Sequence, residues 1–258
     1  MNATEASLGF PKRATGRFAP YHRWDCNFFL LWVALIWLGI AMGFGPQIAR
    51  HLQTHARPYP LIIHIHAAAF VGWLILLTVQ VLLIRWQRPD LHRRLGLIGV
   101  GLAGAMILIG PATALMVHRL AFGTPGDDPA FLSVQLGDIL AFAGLAVAAF
   151  LLTRQPAAHK RLILLATLYI ADAGFARWLG PPLNAHIGAG SLWPLLAVLY
   201  LGNDILIAGL GAYDWITRQR LHPAYVAGVA WTASLQLTAA WLLLSPAWKP
   251  IALKLIGH

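Results

Sequence analysis

Apolar positions along this 258-residue chain neither alternate nor keep to one helical stripe; they gather into unbroken runs. The runs fall at about 27–45, 60–86, 95–118, 133–153, 161–180, 192–215 and 223–245. Roughly 20 residues of helix cross about 30 Å of hydrocarbon, so each run is long enough to span a bilayer. Lipid offers no hydrogen bonds, which forces the backbone of such a run to pair within itself as a helix. The pattern therefore predicts an all-α protein, a polytopic transmembrane helical bundle of about seven spans. Composition agrees: 59% of the residues are hydrophobic and 11% charged, where a soluble domain carries about 25% charged residues.

The polar segments between the runs set a direction. With the N-terminus inside, the inner segments hold Lys12, Arg13, Arg17, Arg23, Arg85, Arg88, Arg93, Arg94, Arg154, Lys160, Arg161, Arg218 and Arg220. The outer ones hold only Arg50, Arg57, Arg119, Arg177, Lys249 and Lys254. Lys and Arg are retained on the cytoplasmic side, so this bias predicts N-in and C-out. The same clustering accounts for the net charge of +10 without nucleic acid, which is not expected as a partner. The lipid bilayer is, and other membrane subunits are compatible with the pattern. Residues 1–26 read as a basic cytoplasmic segment, 27–246 as one transmembrane domain, and 247–258 as a short outer tail whose Trp248, Lys249 and Lys254 suit an interfacial amphipathic helix. The first run ends in GFGPQIAR, with no small-x-small cleavage pattern, and reads as a retained span rather than a signal peptide. A single cysteine, Cys26, excludes an intramolecular disulfide and a Cys-based metal cage.

LHRRLG at 91–96 and AHKRLI at 158–163 enter their spans from the same side. With the preceding residues aligned across one gap, they suggest that the second and third spans and the fourth and fifth are parallel repeats.

Function should reside where polar residues interrupt the runs. An ionisable side chain at mid-bilayer costs about 2.5–3.5 kcal/mol on insertion scales, so it normally faces the bundle interior and marks a pathway or cofactor. The outer half holds His64, His66, His118, Gln135, Asp138, Asp172, Arg177 and His186. The inner half holds Gln80, Asn203, Asp204 and Asp214, with His92, His159 and His222 at inner helix entrances. At about 100° per residue, His64 and His66 diverge by roughly 200° and cannot serve one centre. His66, Trp73 and Gln80 recur every seven residues and stay within about 20° of one another per step, so that stripe is assigned to the interior. Gln135 and Asp138, three residues apart, share a face and are expected at the depth of His66.

HIHAAAFVGWLILLTVQ, DLHRRLG, FLSVQLGDILAF, AHKRLILLAT with a following ARW, and YDWITRQRLHPA occur in this order between about residues 60 and 226. The set resembles a family of uncharacterised bacterial multi-pass membrane proteins. That resemblance implies a bacterial inner-membrane location and carries no established activity. It adds weight to His66, Trp73, Gln80, His92, Asp138, His159, Arg177, Asp214 and His222 as motif positions.

Three functional readings compete. A redox or metal site would use histidines on two helices as axial ligands of a haem b, His66 with His118 or His92 with His159. Its variant is a transition metal held by His66, Asp138 and Asp172, with His51 and His55 of HLQTH as further ligands. A proton-coupled or small-solute transporter would use Asp138, Asp172, Asp204, Arg177 and the histidines, with helix breaks at Gly110-Pro111 and at Leu179-Gly180-Pro181-Pro182. An assembly subunit would use the same groups only as interhelical hydrogen bonds, and would leave His92, His159 and His222 as interfacial residues. No phosphate loop, nucleophile elbow or HExxH motif is present, which excludes the enzyme classes built on them. Whether the protein is an enzyme stays open at this level. If His66, Asp138 and Asp172 form one outer-half site closed by Arg177, His66→Ala should lose a bound ligand or metal while membrane insertion is unchanged; metal analysis and membrane fractionation of the variant check both halves.

Overall fold

The computed structural model describes residues 18–55 and 58–258. The expected basic segment up to residue 17, and Arg57, lie outside the described residues. The elements in order are α1 (Asp25–Gln53), α2 (Leu61–Arg85), α3 (Pro89–Ala121), a 3-10 turn (Pro129–Phe131), α4 (Leu132–Leu151), α5 (Pro156–Ile187), α6 (Leu192–Arg218), α7 (Pro223–Leu244) and α8 (Trp248–Ile256). α1 to α7 are each long and apolar enough to cross a membrane. The protein is a multi-pass, all-α membrane bundle.

The helices overrun the apolar stretches at their ends. α3 begins at Pro89 and α5 at Pro156. Proline suits that first position because its missing N–H would have no partner there. The basic residues that follow extend each helix beyond the hydrocarbon without breaking it. The breaks expected at Gly110-Pro111 and at residues 179–182 are absent: α3 runs through Pro111, and α5 through Pro181 and Pro182 to Ile187. Neighbouring helices and local adjustment can satisfy the backbone groups a proline releases inside a bundle, so the residue does not by itself end a span. α1 does end early, at Gln53, and His55 takes a left-handed conformation with φ 49°. His51 and His55 therefore do not share a helical face, and His51 instead stacks on Tyr59 at 4.0 Å.

α5 is the hub, packing against α1, α4, α6 and α7, while α2 and α3 form a hairpin on α1 and α4. The most apolar window of α5 has a mean hydropathy of 1.5 and is 67% buried, against 2.4 and 17% for α2. The gradient has a physical cause. A lipid-facing helix must be apolar around most of its circumference, whereas a helix enclosed by others can carry polar groups that its neighbours satisfy. α7 shows how polar residues survive on an exposed face: the Ser234 and Thr238 hydroxyls donate to carbonyl oxygens of their own helix at 2.7 Å each.

α1 and α5 come into backbone contact where two glycines meet. A β-carbon at Gly43 would lie 2.1 Å from the Gly174 carbonyl oxygen, and one at Gly174 would lie 2.8 Å from the Gly39 oxygen. Small residues at such crossings let dispersion contacts replace the hydrophobic drive that lipid removes. Gly43→Ala should force the helices apart and destabilise the protein by about 1–3 kcal/mol; a detergent melting curve unchanged from wild type would contradict this contact.

Candidate functional site

Three carboxyl groups stand near the middle of their spans: Asp138 on α4, Asp172 on α5 and Asp204 on α6. α5 packs closely against α4 and α6, and this brings Asp172 near Asp138. The two carboxyl groups lie within direct electrostatic range of each other. Two carboxylates enclosed at short range repel each other, so such a pair favours keeping a proton on one of its members. Asp172 is 3% exposed, and Asp138 Oδ1 is buried with no partner. Asp204 lies within electrostatic range of Asp172, and its Oδ1 accepts from the Gln236 side-chain amide of α7 at 2.8 Å.

Two tyrosines pack with Val134 and Ala141 on the α4 face that carries Asp138. Tyr169 donates to the Thr232 carbonyl oxygen at 3.2 Å, joining α5 to α7. Tyr200 stacks on Tyr169 with ring centres 6.2 Å apart. The Tyr200 hydroxyl and both polar atoms of Asn203, one turn along α6, are buried without a partner.

Above the acids, toward the end where α2 begins, Arg177 donates to the Ala173 carbonyl oxygen at 2.8 Å and covers the Phe44 ring at 4.6 Å. It lies within electrostatic range of both His66 and Asp172. His66 stacks on Phe70 at 4.1 Å, and its Nδ1 is buried without a partner. The stripe below it turns inward: the Trp73 indole donates to the Thr167 hydroxyl on α5 at 3.0 Å, and the Gln80 amide donates to the His92 carbonyl oxygen at 3.1 Å. His64 is exposed. The metal set expected of His66, Asp138 and Asp172 is not assembled, because the acids face each other while His66 faces an aromatic ring. Among the described residues no group of three or more His, Cys, Asp or Glu side chains converges in a way that could hold a metal ion.

The remaining histidines separate by environment. His118 is buried, with Nδ1 2.7 Å from Asp127 and Nε2 3.0 Å from Gln135. Both ring nitrogens are thus engaged, the expected His66–His118 haem pair does not form, and Gln135 serves His118 rather than the acid site. His92 and His159 do meet, with ring centres 6.3 Å apart and planes perpendicular. Each is the fourth residue of a helix that opens on proline. His159 Nδ1 donates to the Ala149 carbonyl oxygen at 2.9 Å, and His92 Nδ1 is buried without a partner.

At the end where α1 begins, five charged side chains interlock. Asp25 accepts from Lys160 at 2.7 Å, from Arg218 at 2.8 and 2.9 Å, and from the Tyr213 hydroxyl at 2.6 Å. The Arg161 and Asp214 side chains, both fully buried, form a two-point pair on α5 and α6. The chain entering α1 folds over this cluster. Lys160 and Arg218 donate to the Pro20 and Ala19 carbonyl oxygens, and the Phe18 ring lies 4.5 Å from Arg161 and 5.2 Å from Arg218. The His222 ring stands perpendicular to Phe18 with ring centres 4.7 Å apart, and its Nδ1 accepts from the Ala224 N–H as the cap of α7. Burial, aided by Arg161, pushes this imidazole below its ordinary pKa, which suits a capping lone pair.

The sequence reading missed Asp25, Lys160, Arg161, Tyr213 and Arg218 as a cluster because basic residues at helix ends already serve to orient the chain. The signal was the presence of two of only nine acids, Asp25 and Asp214, among those bases. Tyr169 and Tyr200 were also missed, although tyrosine in mid-span rather than in the interfacial belt is a polar mark. Compared with protein-family models, curated proteins and solved structures, the chain matches none.

Removing one partner of a buried pair leaves an uncompensated charge. Asp214→Leu alone should cost about 3–5 kcal/mol, and Arg161→Met with Asp214→Leu should recover most of it. Denaturant unfolding of the two variants separates the cases, since equal losses would mean that the pairing itself contributes nothing.

Proposed function

We propose that this protein is a proton-coupled transporter whose proton-binding element is the Asp138–Asp172 carboxyl pair. It acts in the bacterial cytoplasmic membrane with its N-terminus inside. The pair carries the reading: two buried carboxyl groups close together at mid-span repel as a pair of anions and so favour keeping a proton, and changing that proton count changes the charge at the centre of the bundle. Intramembrane acids of this kind recur in proton relays and pumps. Arg177 supplies a counter-charge on the outer side and His66 a second titratable group beside it. Asp204, held by Gln236, is a further proton acceptor on α6. The interlocked charges of Asp25, Lys160, Arg161, Asp214 and Arg218 close the inner end. The 13 Lys and Arg on inner segments against 6 outside support the orientation, and the motif resemblance supports the bacterial membrane.

A second reading rests on His92 and His159. A histidine that ligates a metal commonly donates its other N–H to a carbonyl, as His159 does to Ala149. Two imidazoles from different helices, 6.3 Å apart between ring centres, would suit axial ligation of a haem b or a shared transition metal. An absorption spectrum of purified protein, before and after dithionite, tests this: a Soret band that shifts on reduction and is lost in His92→Ala supports it, and a featureless spectrum with no stoichiometric metal rejects it.

For the leading reading, proteoliposomes loaded with a pH-sensitive dye should acidify under an imposed proton gradient faster than empty vesicles. Asp138→Asn or Asp172→Asn should slow this on the order of 100-fold. Wild-type protein giving no flux above empty vesicles, with or without candidate solutes, would overturn the proposal.

A further inference from the structure

Buried polar atoms without partners are scarce in a stable fold, because each forfeits the hydrogen bonds it had in water. In this bundle four of them lie near mid-span on α4 and α6: Asp138 Oδ1, the Tyr200 hydroxyl, and Asn203 Oδ1 and Nδ2. Tyr200 and Asn203 are both 0% exposed and, three residues apart on α6, share its inward face. Tyr200 is within electrostatic range of Asp138, Asp172 and Asp204. The phenol and the primary amide lack direct bonds, and Tyr200 packs in one buried cluster with Val134 and Ala141, which flank Asp138 on the same face of α4. Unpaired donors and acceptors of this kind match the chemistry of water. A bridging molecule needs two to four polar partners, and the amide, the phenol and the open carboxyl oxygen supply them.

We propose that Tyr200, Asn203 and Asp138 Oδ1 form an internal hydration site that carries protons to and from the Asp138–Asp172 pair. The inference deepens the transport reading, on which its physiological role rests, and names the immediate ligand as water. The exchange step balances simply. A protonated water on Asn203 and Tyr200 gives its proton to a carboxylate oxygen of the pair, becoming neutral water as the new O–H bond forms. The reverse step returns the proton to the water chain. Asn203 is a positioning residue: its carbonyl accepts from the water and its amino group donates to it, so it orients the molecule without itself gaining or losing a proton. Tyr200 acts likewise through its hydroxyl.

The test is hydrogen–deuterium exchange at the protonated carboxyl, read by infrared spectroscopy on reconstituted protein moved into deuterated buffer, with the band assigned by its loss in Asp138→Asn and Asp172→Asn. Wild-type protein should exchange as fast as buffer can be changed. Asn203→Leu, which replaces the amide by an apolar isostere, should slow exchange on the order of 100-fold, Tyr200→Phe should slow it less, and Asn203→Ser should restore part of the rate. Tyr200→Phe removes one oxygen and keeps the ring, so it carries the test if Asn203→Leu fails to purify as a monodisperse species. Exchange equally fast in wild type and both apolar variants would overturn the hydration site, as would a wild-type carboxyl that never exchanges. Proton flux in the same vesicles keeps the two ideas apart. Flux with Asn203-independent exchange rejects the water site alone, whereas Asn203-dependent exchange without flux rejects transport alone. Absence of any carboxyl band that Asp138→Asn removes rejects both.

Discussion

The fully buried Arg161–Asp214 pair is the constraint around which the rest of this bundle is arranged. Neither side chain can face lipid, and neither can be enclosed without the other, so α5 and α6 must pack with these positions opposed. Arg218, 3.7 Å from Asp214, extends the arrangement to Asp25, which also takes Lys160 and Tyr213. α1 is thereby fixed to the hub at one end by charge. Further along, at Gly43 and Gly174, it is fixed by the contact that the absence of side chains allows. The register between the charged cluster and the glycine crossing determines which residues of α5 lie at mid-depth. Asp172 is among them.

With α5 held in that way, the middle of the protein differs from its ends. The cluster at the α1 end is closed: every charge has an opposite partner, and Phe18 covers both arginines. Such a structure is suited to holding helices together. The mid-span site is open in the hydrogen-bonding sense, since Asp138, Tyr200 and Asn203 retain unpaired atoms in a region where pairing is most valuable. Polar groups that serve only packing would be expected to saturate one another, as Ser133 does with the Ala130 and Ala239 carbonyl oxygens. Four of the buried unpaired atoms gather here beside the acids, and that concentration, more than the presence of acids as such, makes the mid-span cluster the functional candidate.

The histidines show why residue type alone misleads. His118, His66, His92 and His159 were equivalent as sequence letters, and the fold gives them different chemistry. His118 is consumed by Asp127 and Gln135, and His66 is turned to an aromatic ring and Arg177. Only His92 and His159 approach one another. Each sits three residues after the proline that opens its helix.

The sequence by itself determined the class of fold, the number of spans and the inward stripe of Trp73 and Gln80, because a bilayer imposes length and polarity on each helix separately and these are local properties. It also marked Asp138, Asp172 and Arg177, since an ionisable residue inside an apolar run is conspicuous without any knowledge of its neighbours. Tertiary structure alone decided which of those residues meet. The approach of Asp138 to Asp172, the diversion of Gln135 to His118 and the continuity of α3 and α5 through their prolines depend on helix rotation and contact between segments distant in sequence. So does the assembly of Asp25 with Lys160 and Arg218. Those relations are set by packing, where the alternatives differ by contacts between helices, and no periodicity within a single helix records them.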